Sequence, residues 1–135
     1  MKIISILLTL LLFVGSAFAD SLPGMRIKDD RGNAVYVVNP AGILQWIPDQ
    51  YTYDKLFRDW DGVVSMDVSR LSIGAPLSPG AMLAKGALPD VYLVSNGMKR
   101  PITEEAFNRY HFDWRQIQTV PQAIINAIPT GPLWN

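Results

Sequence analysis

Residues 91–102 read VYLVSNGMKRPI, and this stretch decides the fold. β-branched and aromatic residues favour extended strands on both sides of Asn96-Gly97. Asn-Gly tolerates positive φ at both central positions of a tight turn, so the stretch predicts a two-residue hairpin of type I′. A helix is expected to begin after Thr103, because Thr is a good N-cap and the following Glu104 and Glu105 suit the positive end of the helix dipole.

The first half of the chain contains a related stretch. AVYVV at residues 34–38 corresponds to DVYLV at residues 90–94, and Asp59-Trp60 corresponds to Asp113-Trp114. The matched residues are 56 positions apart at the tyrosine and 54 apart at the tryptophan, and they occur in the same order. This order predicts a tandem duplication, with repeat 1 at residues 20–76 and repeat 2 at residues 77–135.

Each repeat is expected to be a small antiparallel β-meander with two short helices, which makes the fold class α+β. Besides the hairpin strands, we expect strands at residues 25–28, 63–66, 82–85 and 117–120. The helices are predicted at residues 50–57, capped by Asp49, and at residues 69–73, 104–110 and 121–128. A unit of about 55 residues is marginal alone, so the two repeats are expected to pack together as one globular unit.

The N-terminus has the three-part pattern of a secretory signal peptide. Lys2 supplies a positive charge, residues 3–14 form an apolar run, and Ala17 and Ala19 are the small residues before a cleavage point. The run is shorter than the roughly 20 residues that a membrane-spanning helix needs, so a permanent anchor is the less favoured alternative. The sequence predicts a signal peptide at residues 1–19 and export to the periplasm or the extracellular space of a bacterium.

Composition bounds the partners and cofactors. Without Lys2 the chain has 11 basic and 12 acidic residues, and this balance argues against nucleic acid or an anionic membrane as a partner. The chain has no cysteine, which suits a bacterial exported protein better than a eukaryotic one. His111 is the single histidine, so no zinc site is expected. We expect no metal, no cofactor and no membrane association after cleavage of the signal.

No set of residues has the pattern of an active site. Glu104-Glu105 is explained as a helix start, and Asp59-Trp60-Asp61-Gly62 is interpreted as a turn rather than a calcium loop. Nucleophile-elbow, P-loop and dinucleotide-binding motifs are absent from the sequence. The chain is therefore predicted not to be an enzyme, and a hydrolase that uses Asp59, Asp61 or Glu105 is the alternative.

Candidate binding residues are the side chains that the repeats do not share. Trp60 and Trp114 correspond, so both are expected in the core. The unmatched aromatic residues are candidates for stacking on sugars or for contacts with a protein: Trp46, Tyr51, Tyr110 and Trp134.

Two further pairs of residues complete the candidate set. Leu44 and Trp46 share one face of a strand, and they are expected either to pack between the repeats or to form an exposed contact patch. Lys99 and Arg100 follow the hairpin turn and are expected to add a small basic edge, with a solvated surface as the simpler interpretation.

Residues 91–102, together with Phe107, Phe112-Asp113-Trp114 and the closing residues 128–132, resemble a repeat module of bacterial exported proteins. Its form is VYLV-x-NG-x-KR-x-I, then F-x-W, then IP-x-GP. Repeat 1 departs from this form, because Pro40-Ala41 lengthens the turn and Gln45-Trp46 replaces the basic residue and proline. Such repeats resemble accessory modules that often accompany cell-wall or surface-acting domains, so the resemblance implies a non-catalytic role.

The leading interpretation is a non-catalytic exported binding module that acts on a cell-envelope glycan or on a partner protein. Its candidate ligand-binding residues are Leu44, Trp46, Tyr51, Lys99, Arg100 and Trp134. The alternative is a periplasmic enzyme inhibitor or chaperone-like factor. The sequence makes no prediction about the oligomeric state.

Overall fold

A computed structural model describes residues 22–135. The predicted signal peptide at residues 1–19 lies outside the described residues. The first half of the described chain contains β1 (Arg26–Asp29), β2 (Val35–Val38), β3 (Leu44–Ile47), α1 (Gln50–Leu56) and β4 (Val64–Met66). The second half contains β5 (Met82–Lys85), β6 (Val91–Ser95), β7 (Met98–Ile102), α2 (Glu104–Arg109), a 3₁₀ turn (Trp114–Gln116), β8 (Gln118–Thr119) and α3 (Gln122–Ala127).

The strands form two four-stranded sheets with the same strand order. The first sheet is β3-β2-β1-β4 and the second is β7-β6-β5-β8. The first three strands of each half pair antiparallel, whereas the fourth strand pairs parallel with the first. The α+β class is therefore confirmed. The expected antiparallel meander is present in the first three strands of each half. The fourth strand departs from it, because the crossover from the third to the fourth strand contains a helix and returns the chain in the direction of the first strand.

The predicted tight turn at Asn96-Gly97 and the predicted helix caps at Asp49 and Thr103 are confirmed. Asn96 and Gly97 have φ values of 56° and 73°, as a type I′ turn requires. The hydroxyl of Thr103 accepts the N–H of Ala106 at 3.1 Å, and the carboxylate of Asp49 accepts the N–H of Thr52 at 2.7 Å. Both side chains therefore satisfy a backbone donor that a helix start leaves without a partner.

A central core draws on both halves of the chain. It contains large apolar side chains from the sheets and helices, chiefly Val37, Ile47, Tyr53, Leu56, Phe57, Leu83, Leu93, Phe107, Tyr110, Phe112 and Trp134. The two halves also meet at an antiparallel bridge between Phe57 and Phe112, whose ring centroids are 5.2 Å apart. Beside this bridge the N–H of Arg58 donates to the carbonyl of His111 at 3.0 Å.

An outer core covers the opposite face of the first sheet and consists of Leu22, Ile27, Val38, Leu44 and Val68. The helix expected at residues 69–73 is wrong, because this segment is used to cover the free edge of β3. The N–H of Leu44 donates to the carbonyl of Ser72 at 2.8 Å, and the N–H of Gly74 donates to the carbonyl of Leu44 at 2.9 Å. Covering a sheet edge in this way satisfies backbone groups that would otherwise be unpaired.

The second sheet is covered in a related way. The N–H of Lys99 donates to the carbonyl of Pro129 at 2.8 Å, and the N–H of Trp134 donates to the carbonyl of Pro101 at 2.7 Å.

The last helix is one residue shorter at each end than expected, and its Ile125 is 1% exposed. Among residues 22–135, no helix has the length and apolar character needed to cross a bilayer.

Candidate binding clefts

Two of the apolar residues predicted for ligand binding are buried. Leu44 is 0% exposed and belongs to the outer core, so it neither packs between the halves nor forms a surface patch. Trp134 is also 0% exposed, with its ring 5.2 Å from that of Tyr110 and 6.1 Å from that of Phe112. Trp134 is buried because the edge-covering segment carries it into the central core. We therefore leave both residues out of the candidate site.

Lys99 and Arg100 do not form a free basic edge. The ammonium of Lys99 is buried, donates to the carbonyl of Ile125 at 2.5 Å and lies 5.4 Å from the centre of the Tyr92 ring. The guanidinium of Arg100 lies 4.4 Å from the centre of the Trp134 ring and donates to the carbonyl of Pro132 at 2.8 Å. Burial lowers the pKa of Arg100. Both cations therefore hold the C-terminal segments against the second sheet.

Four aromatic side chains among the described residues are largely exposed, and two of them were expected to be candidates for binding. Trp46 and Tyr51 are 41% and 65% exposed, but Tyr51 lines neither of the two clefts described below, so we leave it out of the candidate site. The expectation that Trp60 and Trp114 lie in the core is wrong, because they are 45% and 48% exposed. Each packs on a buried helix aromatic and leaves much of its indole to solvent. The sequence signal for these two residues is the repeated seven-residue spacing after Tyr53 and Phe107, which fits a shared exposed position as well as a shared core position.

The first cleft has a volume of about 380 Å³ and lies between the β2–β3 hairpin, the start of α1 and the loop that carries Trp60. The aromatic residues Tyr36, Trp46 and Trp60 form its apolar walls, and the polar residues at its rim are Asn33, Asp49 and Gln50.

The second cleft has a volume of about 400 Å³ and lies in the corresponding part of the second half. Its apolar walls include Trp114, Pro101 and Leu133, and its polar residues are Asp90, Thr103 and Glu104.

The two clefts occupy matching positions in the two sheets. Val35 of the first cleft pairs with Ile47, and Val91 of the second cleft pairs with Ile102. Trp60 and Trp114 close the clefts 54 positions apart. The same strand order therefore produces the same concave feature twice.

Both clefts carry carboxylates, and no lysine, arginine or histidine is among the described residues that line them. Asp49 lines the first cleft, and Asp90 and Glu104 line the second. One oxygen of Asp49 is committed to the helix cap, and Glu104 lies in the first turn of α2, where the helix dipole favours an acid. The clefts thus offer aromatic faces and hydrogen-bond acceptors and would repel an anionic ligand.

A buried arginine holds the loop that carries Trp60. Arg26 is 2% exposed, donates to the hydroxyl of Tyr53 at 2.6 Å and to the carbonyl of Asp59 at 2.7 Å, and also contacts the carbonyl of Asp61. The Tyr53 hydroxyl donates in turn to the Asp59 carbonyl at 2.6 Å. Burial raises the pKa of Tyr53, so its hydroxyl remains a donor at neutral pH. This network fixes Trp60 against Tyr53.

The second cleft is supported differently. Leu83 takes the place of Arg26, since Leu83 pairs with Leu93 as Arg26 pairs with Val37. Phe107 replaces Tyr53. The indole N–H of Trp114 donates instead to the side-chain oxygen of Asn108 at 3.2 Å.

The acids considered for a hydrolase have separate surroundings. Asp59 contacts Nδ1 of His111 at 3.2 Å and Nε of Arg58 at 3.8 Å. Asp61 and Glu105 are exposed. Within the part of the chain that the structure describes, no group of three or more His, Asp or Glu side chains is arranged to hold a metal ion.

Comparison of the chain with family models, with curated proteins and with solved structures gives no match. The two clefts are therefore the basis on which a function is proposed.

Proposed function

We propose that this chain is a non-catalytic binding module, exported to the periplasm or the cell surface, and that it acts on the cell envelope or on a partner protein through the two clefts. The observation that supports this function is the pair of half-exposed tryptophans, Trp60 and Trp114, each packed on a buried aromatic residue beside a concave surface. We further propose that the halves are tandem repeats, residues 20–76 and 77–135, and the shared strand order supports this origin.

The packing of the tryptophans favours binding for an energetic reason. A flexible side chain loses conformational freedom when it is immobilised in a complex, which costs about 0.5–1.5 kcal/mol. Trp60 has a ring centroid 3.8 Å from that of Tyr53, so it is held in one orientation before a ligand arrives. Because Trp is enriched among the residues that dominate binding energy, a fixed and half-exposed Trp is a strong candidate anchor.

The test is binding of the purified protein to isolated envelope fractions and to periplasmic extract. Trp60→Ala combined with Trp114→Ala is expected to weaken binding roughly tenfold or more, because each anchor contributes more than about 1 kcal/mol. Tyr51→Ala is the matched control, since Tyr51 is exposed and does not line either cleft. Circular dichroism would verify that all variants are folded.

Equal binding by the double variant and the wild type would reject the clefts as the binding surface. Recovery of one protein from periplasmic extract in stoichiometric amount, rather than binding to an envelope fraction, would favour the inhibitor interpretation.

A further inference from the structure

We propose that each cleft binds a short segment of a neutral polysaccharide, so that one chain holds two glycan segments at once. This inference rests on the proposed function and specifies its ligand. Three features of the clefts lead to it: the aromatic walls, the sign of their charges and their duplication.

The aromatic walls suit a sugar ring. Trp60 has one face against Tyr53, with an interplanar angle of 11°, and is 45% exposed, so it presents a flat apolar surface to the solvent. Trp46, which is 41% exposed, lines the same cleft. A pyranose ring has an apolar C–H face that can lie on an indole. The cleft volumes of about 380 and 400 Å³ lie within the range of small-molecule sites, about 300–1,000 Å³.

The polar groups select a neutral ligand. Asp49 and Gln50 at the first cleft, and Asp90 and Glu104 at the second, provide oxygen acceptors for sugar hydroxyls. A carboxylate would repel an anionic glycan or a phosphate, and the described lining residues include no cation to offset this repulsion. A cationic ligand would also be attracted by these carboxylates, so it is the competing ligand class in the test below.

The duplication favours a polymer. A ligand with repeating units offers the same chemical group many times, and two matching clefts can then be occupied together. On an insoluble polysaccharide, the second binding event takes place at a high effective concentration, whether the clefts bind one strand or two neighbouring strands. The chain would therefore bind the polymer much more tightly than it binds a short oligosaccharide.

Isothermal titration calorimetry with cellohexaose and chitohexaose tests this inference. We expect two oligosaccharides per wild-type chain, one for Trp60→Ala, one for Trp114→Ala, and none for the double variant. Trp60→Tyr keeps a flat ring and should retain two. The matched comparison ligands are an anionic hexasaccharide of galacturonic acid and hexalysine, and both should bind about tenfold or more weakly.

A second measurement uses insoluble cellulose and chitin. The wild type should bind the preferred polymer about tenfold or more tightly than either single variant. Tyr51→Ala should behave as the wild type in both measurements.

The inference would be overturned if neither neutral oligosaccharide bound, if hexalysine bound in their place, or if the stoichiometry were one and unchanged in Trp114→Ala. If these results were accompanied by loss of envelope binding in the double variant, the clefts would remain the binding surface and only the ligand class would be rejected. If envelope binding were also unchanged, the proposed function would be rejected too.

Discussion

The indole of Trp60 lies nearly parallel to the ring of Tyr53, with centroids 3.8 Å apart and an angle of 11° between the planes. Trp114 lies on Phe107 at 3.9 Å and 36°. The two contacts have the same place in their halves but different polar support, because only Tyr53 is hydrogen-bonded to a buried arginine. The positions that support the tryptophan are therefore polar in the first half, where they are Arg26 and Tyr53. The corresponding positions of the second half are apolar, because they are Leu83 and Phe107.

We expect Arg26→Leu to lower the free energy of unfolding by about 1–3 kcal/mol, because the Tyr53 hydroxyl loses its buried donor and the carbonyl of Asp59 keeps the Tyr53 hydroxyl but loses the guanidinium. Combining Arg26→Leu with Tyr53→Phe recreates the apolar pair of the second half. The double variant should therefore lose less stability than the sum of the single variants, with a coupling of about 1 kcal/mol. Urea unfolding of the four proteins measures this coupling, and strictly additive losses would contradict it.

Asp49 has two roles that one substitution separates. Asp49→Asn should keep the helix cap, because Asn and Asp cap equally well, and should change stability by less than about 0.5 kcal/mol. Asp49→Ala removes the cap and should cost about 1 kcal/mol. In a Trp114→Ala background, where only the first cleft remains, Asp49→Asn should weaken oligosaccharide binding severalfold, because hydrogen bonds to a charged acceptor are stronger. Equal destabilisation by the Asn and Ala variants would contradict the capping role.

The hairpin turn gives a third prediction. Gly97 has φ of 73°, and a Cβ at this position would meet no atom within 4 Å, so the cost of Gly97→Ala is purely conformational. We expect a loss of about 1–2 kcal/mol in the free energy of unfolding. Gly32→Ala is the matched control, since Gly32 also has open space but no positive φ, and it should be neutral or slightly stabilising. Similar effects of the two substitutions would argue against the backbone explanation.

Short-range chemistry accounts for what the sequence predicted correctly. The Asn96-Gly97 turn and the caps Asp49 and Thr103 depend on the preferences of single residues for particular backbone geometries, and these do not need the rest of the fold. The positions of most strands followed for the same reason, because β-branched runs between turns are strong local signals.

Long-range packing accounts for what the sequence did not predict. No residue within 69–73 disfavours a helix strongly by itself. The segment is not helical because its backbone forms hydrogen bonds with the open edge of β3. Lysine side chains are usually exposed, so the sequence predicts a surface position for Lys99. Its ammonium is buried because it donates to the carbonyl of Ile125, which is distant in sequence. The exposure of Trp60 and Trp114 does not follow from their repetition, because a repeated position can belong to a shared surface as well as to a shared core.

Tyr110 provides a prediction about alkaline stability. Its ring is 0% exposed, and burial raises the pKa of its hydroxyl from 10.0 to about 12. The folded protein therefore holds this proton more tightly than the unfolded chain does. This contribution to stability is fully present below about pH 10 and is lost as the pH rises from about 10 to about 12.

Measurements of the free energy of unfolding between about pH 9 and pH 11.5 should show that the wild type loses about 2 kcal/mol more than Tyr110→Phe does, because one pKa unit corresponds to about 1.4 kcal/mol. Tyr51→Phe is the control, since Tyr51 is 65% exposed, and its curve should run parallel to that of the wild type. Absorbance of tyrosinate should show fewer tyrosines titrating near pH 10 in the folded wild type than after unfolding, because burial raises the pKa of both Tyr53 and Tyr110. Parallel curves for the wild type and Tyr110→Phe would mean that the buried hydroxyl ionises without cost to the fold.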